Sequence, residues 1–240
     1  MLLEICASNF KSALNAQSAG AQRIELCQEL AVGGITPSYG LLAHVLKHIT
    51  IPVFVLIRPR SGNFTYSNEE FEIMKRDIEC AKKLGVAGIV SGVLLKDGSL
   101  DIARTQKLVE LTKPLPFTFH RAFDWVPEPL ITMQQLITIG VDRILTSGQE
   151  PSAEKGLDLL FKLKNESKGD IGILPGGGIN SKNAKKFADA GFDEIHASAT
   201  KVETKIEDPK ITMNSEKFLD DSIECYSDMH IIKQLISAIA

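Results

Sequence analysis

No apolar run in this sequence approaches the roughly 18 residues needed to cross a bilayer, so it does not read as a helical membrane protein. Cysteine is sparse. Four thiols in 240 residues (Cys6, Cys27, Cys80 and Cys225) are too few for a dense disulfide framework. The opening Met1-Leu2-Leu3-Glu4 puts an acid where a secretory leader carries positive charge. Reduced thiols and a cytoplasmic location are therefore expected. Excess charge of either sign is missing as well. With 27 basic and 30 acidic side chains the net charge is −3, and nothing suggests the clustered basic face of a nucleic-acid-binding protein. The 44% of apolar residues is an ordinary content for a folded domain rather than a disordered chain.

What the sequence has is alternation. Strand-like segments occur at Leu2–Cys6, Arg23–Cys27, Val53–Arg58, Gly88–Gly92, Phe117–His120, Arg143–Ser147, Gly172–Pro175 and Glu194–Ser198. Helical periodicity fills the intervals. Phe71, Met74, Ile78 and Ala81 mark one buried stripe, with Ser67 and Glu70 forming a capping box ahead of it. Leu130, Met133 and Ile137 mark another, and Ile232, Leu235, Ile236 and Ile239 a last one. Four helices run out into glycine, an apolar residue, two further residues and isoleucine: Gly20–Ile24, Gly85–Ile89, Gly140–Ile144 and Gly191–Ile195. Glycine suits the left-handed position that ends a helix. Two other strands are entered through proline, at Ile51-Pro52-Val53 and Leu115-Pro116-Phe117. Eight βα units in about 240 residues predict an α/β fold, a single (β/α)₈ TIM-like barrel, over an open doubly wound sheet. One domain is expected over 1–240. Residues 201–227 would be an extended loop between the last strand and the closing helix at 228–240. A loop so long on the strands' C-terminal side reads as a lid or a floppy insertion.

Side chains alternate across a strand. Placing Leu3, Ile5, Ile24 and Leu26 under the helices turns Glu4, Cys6, Arg23, Glu25 and Cys27 toward the barrel axis. The same phase turns Thr118, His120, Glu194, His196 and Ser198 inward. Arg23, Arg143 and Glu194, near the strand starts, are expected to form structural ion pairs. Glu4, Cys6, Glu25, Cys27, Arg58, His120, Ser147 and His196 gather toward the strand ends, where the following loops add Arg60, Ser91, Arg121 and Asp124. A satisfied hydrogen bond explains any one of them. Together, at the C-terminal face of a barrel, they imply a ligand site.

Three chemistries are open. Gly176, Gly177 and Gly178 follow the seventh strand, and bare amides there cradle anions, with Arg58 and Arg60 as forked donors. A tight turn is the plainer explanation of the glycines. Glu25, His120, Asp124 and His196 form a candidate catalytic set, and Glu25, His120 and His196 offer N and O ligands to a divalent metal. Lumenal residues that satisfy one another would look the same. Cys6 and Cys27 share an inward phase on strands roughly 4.8 Å apart, a spacing that suits one soft ion such as Cu(I). On spacing alone, two inert buried thiols are the simpler reading.

Several segments resemble one family. They are Leu3-Glu4-Ile5-Cys6, Arg23-Ile24-Glu25-Leu26-Cys27, Gly33-Gly34-Ile35-Thr36-Pro37-Ser38, Ile57-Arg58-Pro59-Arg60, Thr118–Asp124, Leu145-Thr146-Ser147-Gly148 and Gly176-Gly177-Gly178-Ile179. Together they are similar to the CutC copper homeostasis family, from residue 2 to about 200, and the likeness weakens across 201–227. The resemblance implies a cytoplasmic TIM-like barrel involved in copper handling, with Cys6 and Cys27 as Cu(I) ligands. A carrier has no evident need of Arg58, Arg60, His120, Arg121, Asp124 and a glycine nest. The second reading is therefore an uncharacterised barrel enzyme (a lyase, isomerase or hydrolase) acting on a small anionic or phosphorylated metabolite. A scaffold comes third, since scaffolds need no polar mouth. The expected partners are a copper ion or that metabolite, with neither nucleic acid nor membrane; a homo-oligomer remains open.

Overall fold

A computed structural model describes residues 1–205, 211 and 222–240. Strands β1 (Leu2–Ala7), β2 (Arg23–Leu26), β3 (Val53–Leu56), β4 (Gly88–Ser91), β5 (Phe117–Phe119), β6 (Arg143–Thr146), β7 (Gly172–Pro175) and β8 (Glu194–Ala197) alternate with helices. The helices are α1 (Phe10–Ala19), α2 (Tyr39–His48), α3 (Asn68–Leu84), α4 (Ile102–Thr112), α5 (Pro129–Thr138), α6 (Leu157–Ser167), α7 (Ala184–Asp189) and α8 (Met229–Ile239). All eight strands are parallel, in the order β7-β6-β5-β4-β3-β2-β1-β8. Between β7 and β8 the contact narrows to one parallel bridge, Gly176 to His196, so the barrel is nearly closed. No helix among the described residues is long and apolar enough to cross a membrane.

Local signals account for these elements. Ser67 and Glu70 cap α3 reciprocally, satisfying two amides at its start. Gly20, Gly85, Gly140 and Gly191 all have positive φ, which only glycine adopts without steric cost, and each ends a helix before an even-numbered strand. Leu3, Ile5, Ile24, Leu26, Ile89, Ile144 and Ile195 are fully buried beneath the helices. The strands β2 to β6 and β8 stop one or two residues before their expected ends. Cys27, Arg58, Gly92, His120, Ser147 and Ser198 have already left the ladder, and the chain there turns over the barrel mouth.

The lumen begins with a layer of paired charge. Arg23 binds Glu4 and Glu194, and Arg143 binds Glu194 and the Thr118 hydroxyl. The expected structural ion pairs are therefore present. Both guanidinium groups flank the ring of Phe54, at 5.0 and 5.3 Å from its centroid. A Cβ at Gly88 would stand 2.5 Å from that ring, so glycine is what lets Phe54 cross the lumen.

In the 201–227 segment, residues 206–210 and 212–221 lie outside the described residues, and with them most of the expected lid. The described remainder is not open loop. β9 (Thr200–Thr204) and β10 (Ile223–Ser227) pair antiparallel. The foot of this ribbon is tied to the barrel: Ser227 N–H donates to Ser12 Oγ (2.9 Å), and Asn9 and Asn15 donate to the carbonyls of Cys225 and Ser227.

Candidate metal and ligand site

A pocket of about 290 Å³ opens at the C-terminal ends of the strands. It is lined on one side by Cys6, Glu25 and His196 and on the other by Arg58, His120 and Arg121, with Gly177 and Gly178 at its rim.

On the first side, ladder register places Cys6 opposite Glu25, and Cys27 lies one pleat higher, beyond the end of β2. The two cysteines are thus not register partners. The stagger of a barrel wall nevertheless brings their sulfurs to 3.7 Å, and the Glu25 carboxylate lies 4.0 Å from Cys6 Sγ. Both thiols are buried and free. Cys6, Glu25 and His196 present donor atoms that all lie within 4.8 Å of one another. His196 is oriented by Glu4, 2.8 Å from its Nδ1. A carboxylate on one ring nitrogen leaves the other for a metal, the usual support of a metal-ligating histidine.

The electrostatics of this cluster are mutual. Burial alone would raise Glu4, but hydrogen bonds and charge from His196 and Arg23 outweigh it and hold the carboxyl down at about 2. Burial would lower His196; the Glu4 hydrogen bond and the Glu25 and Glu4 charges raise it instead. Glu25 has no such partner. Burial pushes it up to about 7, and its Oε2 meets no hydrogen-bond donor. The Cys27 contact, burial and the nearby carboxylates push the Cys6 thiol up. A metal arriving here displaces protons from its ligands.

On the second side, the Ala122 amide donates to His120 Nδ1 at 3.2 Å, which leaves the proton on Nε2. Burial and the Arg58 charge push this histidine down to about 3, so it is neutral. Its Nε2 is buried without a partner, as is Arg58 Nε. Arg58 spends its other nitrogens on the carbonyls of Val32, Gly34 and Gly62. It is thus a buried post for two loops, more committed than a free anion-binding fork would be.

Other expected site residues are placed elsewhere or otherwise engaged. Arg60 sits outside the pocket, paired with Glu70 at 2.5 Å and capping the carbonyls of Ser61, Asn63 and Thr65. Asp124 accepts from Arg121, Thr146 and Ser147 and from the Gln149 amide, which makes it a clasp for the loop after β6. His120 is not part of the Cys6–Glu25–His196 cluster, so the expected Glu25/His120/His196 metal triad is not assembled. Gly176 is consumed by the β7–β8 bridge, where a Cβ would meet Leu145 at 2.5 Å. Gly177 (φ 110°) and Gly178 (φ 73°) line the pocket. Glu4 was legible as inward-facing, yet its hold on His196 was not, because that contact follows from β1 lying beside β8.

Fold and site together define an α/β barrel with a buried sulfur, carboxylate and imidazole cluster at the C-terminal mouth of its strands. Comparison with known proteins gives the family. The CutC family model matches residues 1–201. A copper homeostasis protein cutC homolog of Mus musculus is 48% identical over 199 residues, 82% of this chain and 73% of that protein. A CutC family protein of Photorhabdus laumondii is 46% identical over 200 residues, 83% of this chain and 80% of its own. A crystal structure of a CutC protein from Streptococcus agalactiae superposes with a TM-score of 0.78 at 33% identity, covering 82% of this chain and 98% of that one. The chain belongs to the CutC family.

Proposed function

We propose that this protein handles copper in the cytoplasm and binds one Cu(I) between Cys6 and Cys27. The observation that carries the reading is the 3.7 Å separation of their sulfurs. With metal–thiolate bonds of about 2.3 Å, as for zinc, that separation corresponds to a bent S–metal–S angle of roughly 110°. A bent pair leaves room for a third donor, and His196, braced by Glu4, is the nearest nitrogen ligand in the cluster. Thiolates and imidazole suit a soft monovalent copper ion, and buried free thiols persist in a reducing compartment. The relatives' names supply copper homeostasis as the biological setting.

The test is anaerobic titration of reduced protein with Cu(I) against a competing chromophoric chelator. About one equivalent per chain is expected, the stoichiometry of a two-thiolate site. Cys6→Ser combined with Cys27→Ser should abolish uptake. Cys80→Ser should not, because Cys80 lies on α3, outside the lumen. Undiminished uptake by the double variant would remove the pair from the role.

A further inference from the structure

We propose that the mouth of the barrel also binds a small organic anion, whose carboxylate or phosphate head is held by Arg58 and His120. This goes beyond the copper reading and uses different atoms.

Arg58 is 95% buried, yet among the described residues no carboxylate pairs with it. Its neighbours are neutral, three carbonyls and the Tyr66 phenol, and its Nε–H makes no well-formed hydrogen bond. A buried cation without a counterion destabilises the fold, and a bound anion offsets that cost. His120 stands beside it. Both pack on the ring of Phe64, Arg58 at 5.1 Å and His120 at 4.9 Å from its centroid. His120 also aims a buried Nε2–H with no acceptor. Two residues that line one cavity thus each carry a buried donor without an acceptor.

The surroundings repeat the pattern. The amide of Gly178 donates to no acceptor among the described residues, and that glycine lines the pocket. The Arg121 guanidinium lies 3.4 Å from where a Gly177 Cβ would stand. It commits Nε to Asp124 and Nη2 to Ser147, and leaves Nη1 uncommitted. Leu30, Leu56, Phe64, Leu145 and Ile179 make the walls apolar, and about 290 Å³, at the lower edge of ligand-pocket volumes, fits a small organic body behind the head group.

The sole tryptophan reports on this site, since Trp125 packs edge-on against Phe64 at 4.9 Å. Metal-free protein in a buffer lacking phosphate and carboxylates is titrated with inorganic phosphate and, separately, with acetate, with chloride as the ionic-strength control. A saturable change in Trp125 emission with phosphate or acetate, absent with chloride, is expected; the tighter of the two identifies the head group. His120→Asn keeps an acceptor for the Ala122 amide and removes the pocket donor, so affinity should fall at least tenfold. His120→Gln restores a donor near Nε2 and should recover most of it. Cys27→Ser should leave anion affinity within twofold while weakening Cu(I) uptake, which separates failure of this proposal from failure of the copper one. In the wild type, the His120 Nε2–H proton resonance should move on anion addition, a reading independent of whether the variants fold. Emission that responds to neither anion beyond chloride, or an unmoved His120 resonance, would overturn the proposal.

Discussion

The two ends of the lumen are built on opposite terms. At the strand starts, Arg23, Arg143, Glu4, Glu194 and Thr118 satisfy one another around Phe54. At the strand ends, Glu25 Oε2, Arg58 Nε and His120 Nε2 are buried and satisfy nobody. The upper groups are more deeply buried than Arg143 and Glu194, yet only the lower layer returns the solvation it removes. Groups left unpaired in this way are what a fold keeps for a ligand at some cost to its own stability.

The largest effect should come from breaking the lower layer. Glu194→Ala strands Arg143 and leaves Arg23 with Glu4 alone, and removing one member of a buried ion network costs about 3–5 kcal/mol. Urea unfolding measures this, and a loss below about 1 kcal/mol would mean that the layer is not the structural one. Next is a pH effect from the upper layer. The unfolded chain protonates His120 near 6.5, whereas the folded protein resists until about 3. In that window the unfolded state binds more protons, so His120 makes the fold lose stability as pH falls below 6.5. The difference between wild type and His120→Phe should therefore change by about 2 kcal/mol between pH 6.5 and pH 5. A parallel pair of stability curves would contradict a neutral, buried His120. Smaller again, Glu25→Met should not destabilise the ligand-free protein and should add about 1 kcal/mol, because it removes a buried carboxyl with an unpartnered oxygen. The smallest effect is a null one. Arg60→Met should leave anion binding within twofold, since Arg60 points to Glu70 instead of the pocket.

The barrel was legible because its signals agree: glycine at each of four helix ends, and isoleucine or leucine alternating with charge along β1, β2 and β8. The same alternation correctly turned Glu4, Cys6, Glu25 and His196 inward. It lost force where the ladders end. Arg58 and Arg60 are two residues apart and would share a face in a strand. The chain has left the ladder by then, and one is buried while the other reaches Glu70. Asp124 looked like chemistry because nothing local reveals that Thr146, Ser147 and Gln149 would surround it. The ribbon β9–β10 was missed because Thr200-Lys201-Val202-Glu203-Thr204 is mostly polar and its partner lies some twenty residues on. The closeness of Cys6 and Cys27 was expected from neighbouring strands, whereas it arises from diagonal stagger, which spacing alone does not contain.

The seam between β7 and β8 has a mechanical consequence. Every other pair of neighbouring strands is laced along a ladder; this one is held by a single stitch at Gly176 and His196. His196 borders that seam, yet β8 is laced to β1 and β1 to β2, so Cys6, Glu25 and His196 stand on three consecutive, firmly paired strands on one side of it. The cluster therefore keeps its bite when the seam loosens. What the seam governs is how that cluster faces the Gly177–Gly178 rim carried by the β7 side.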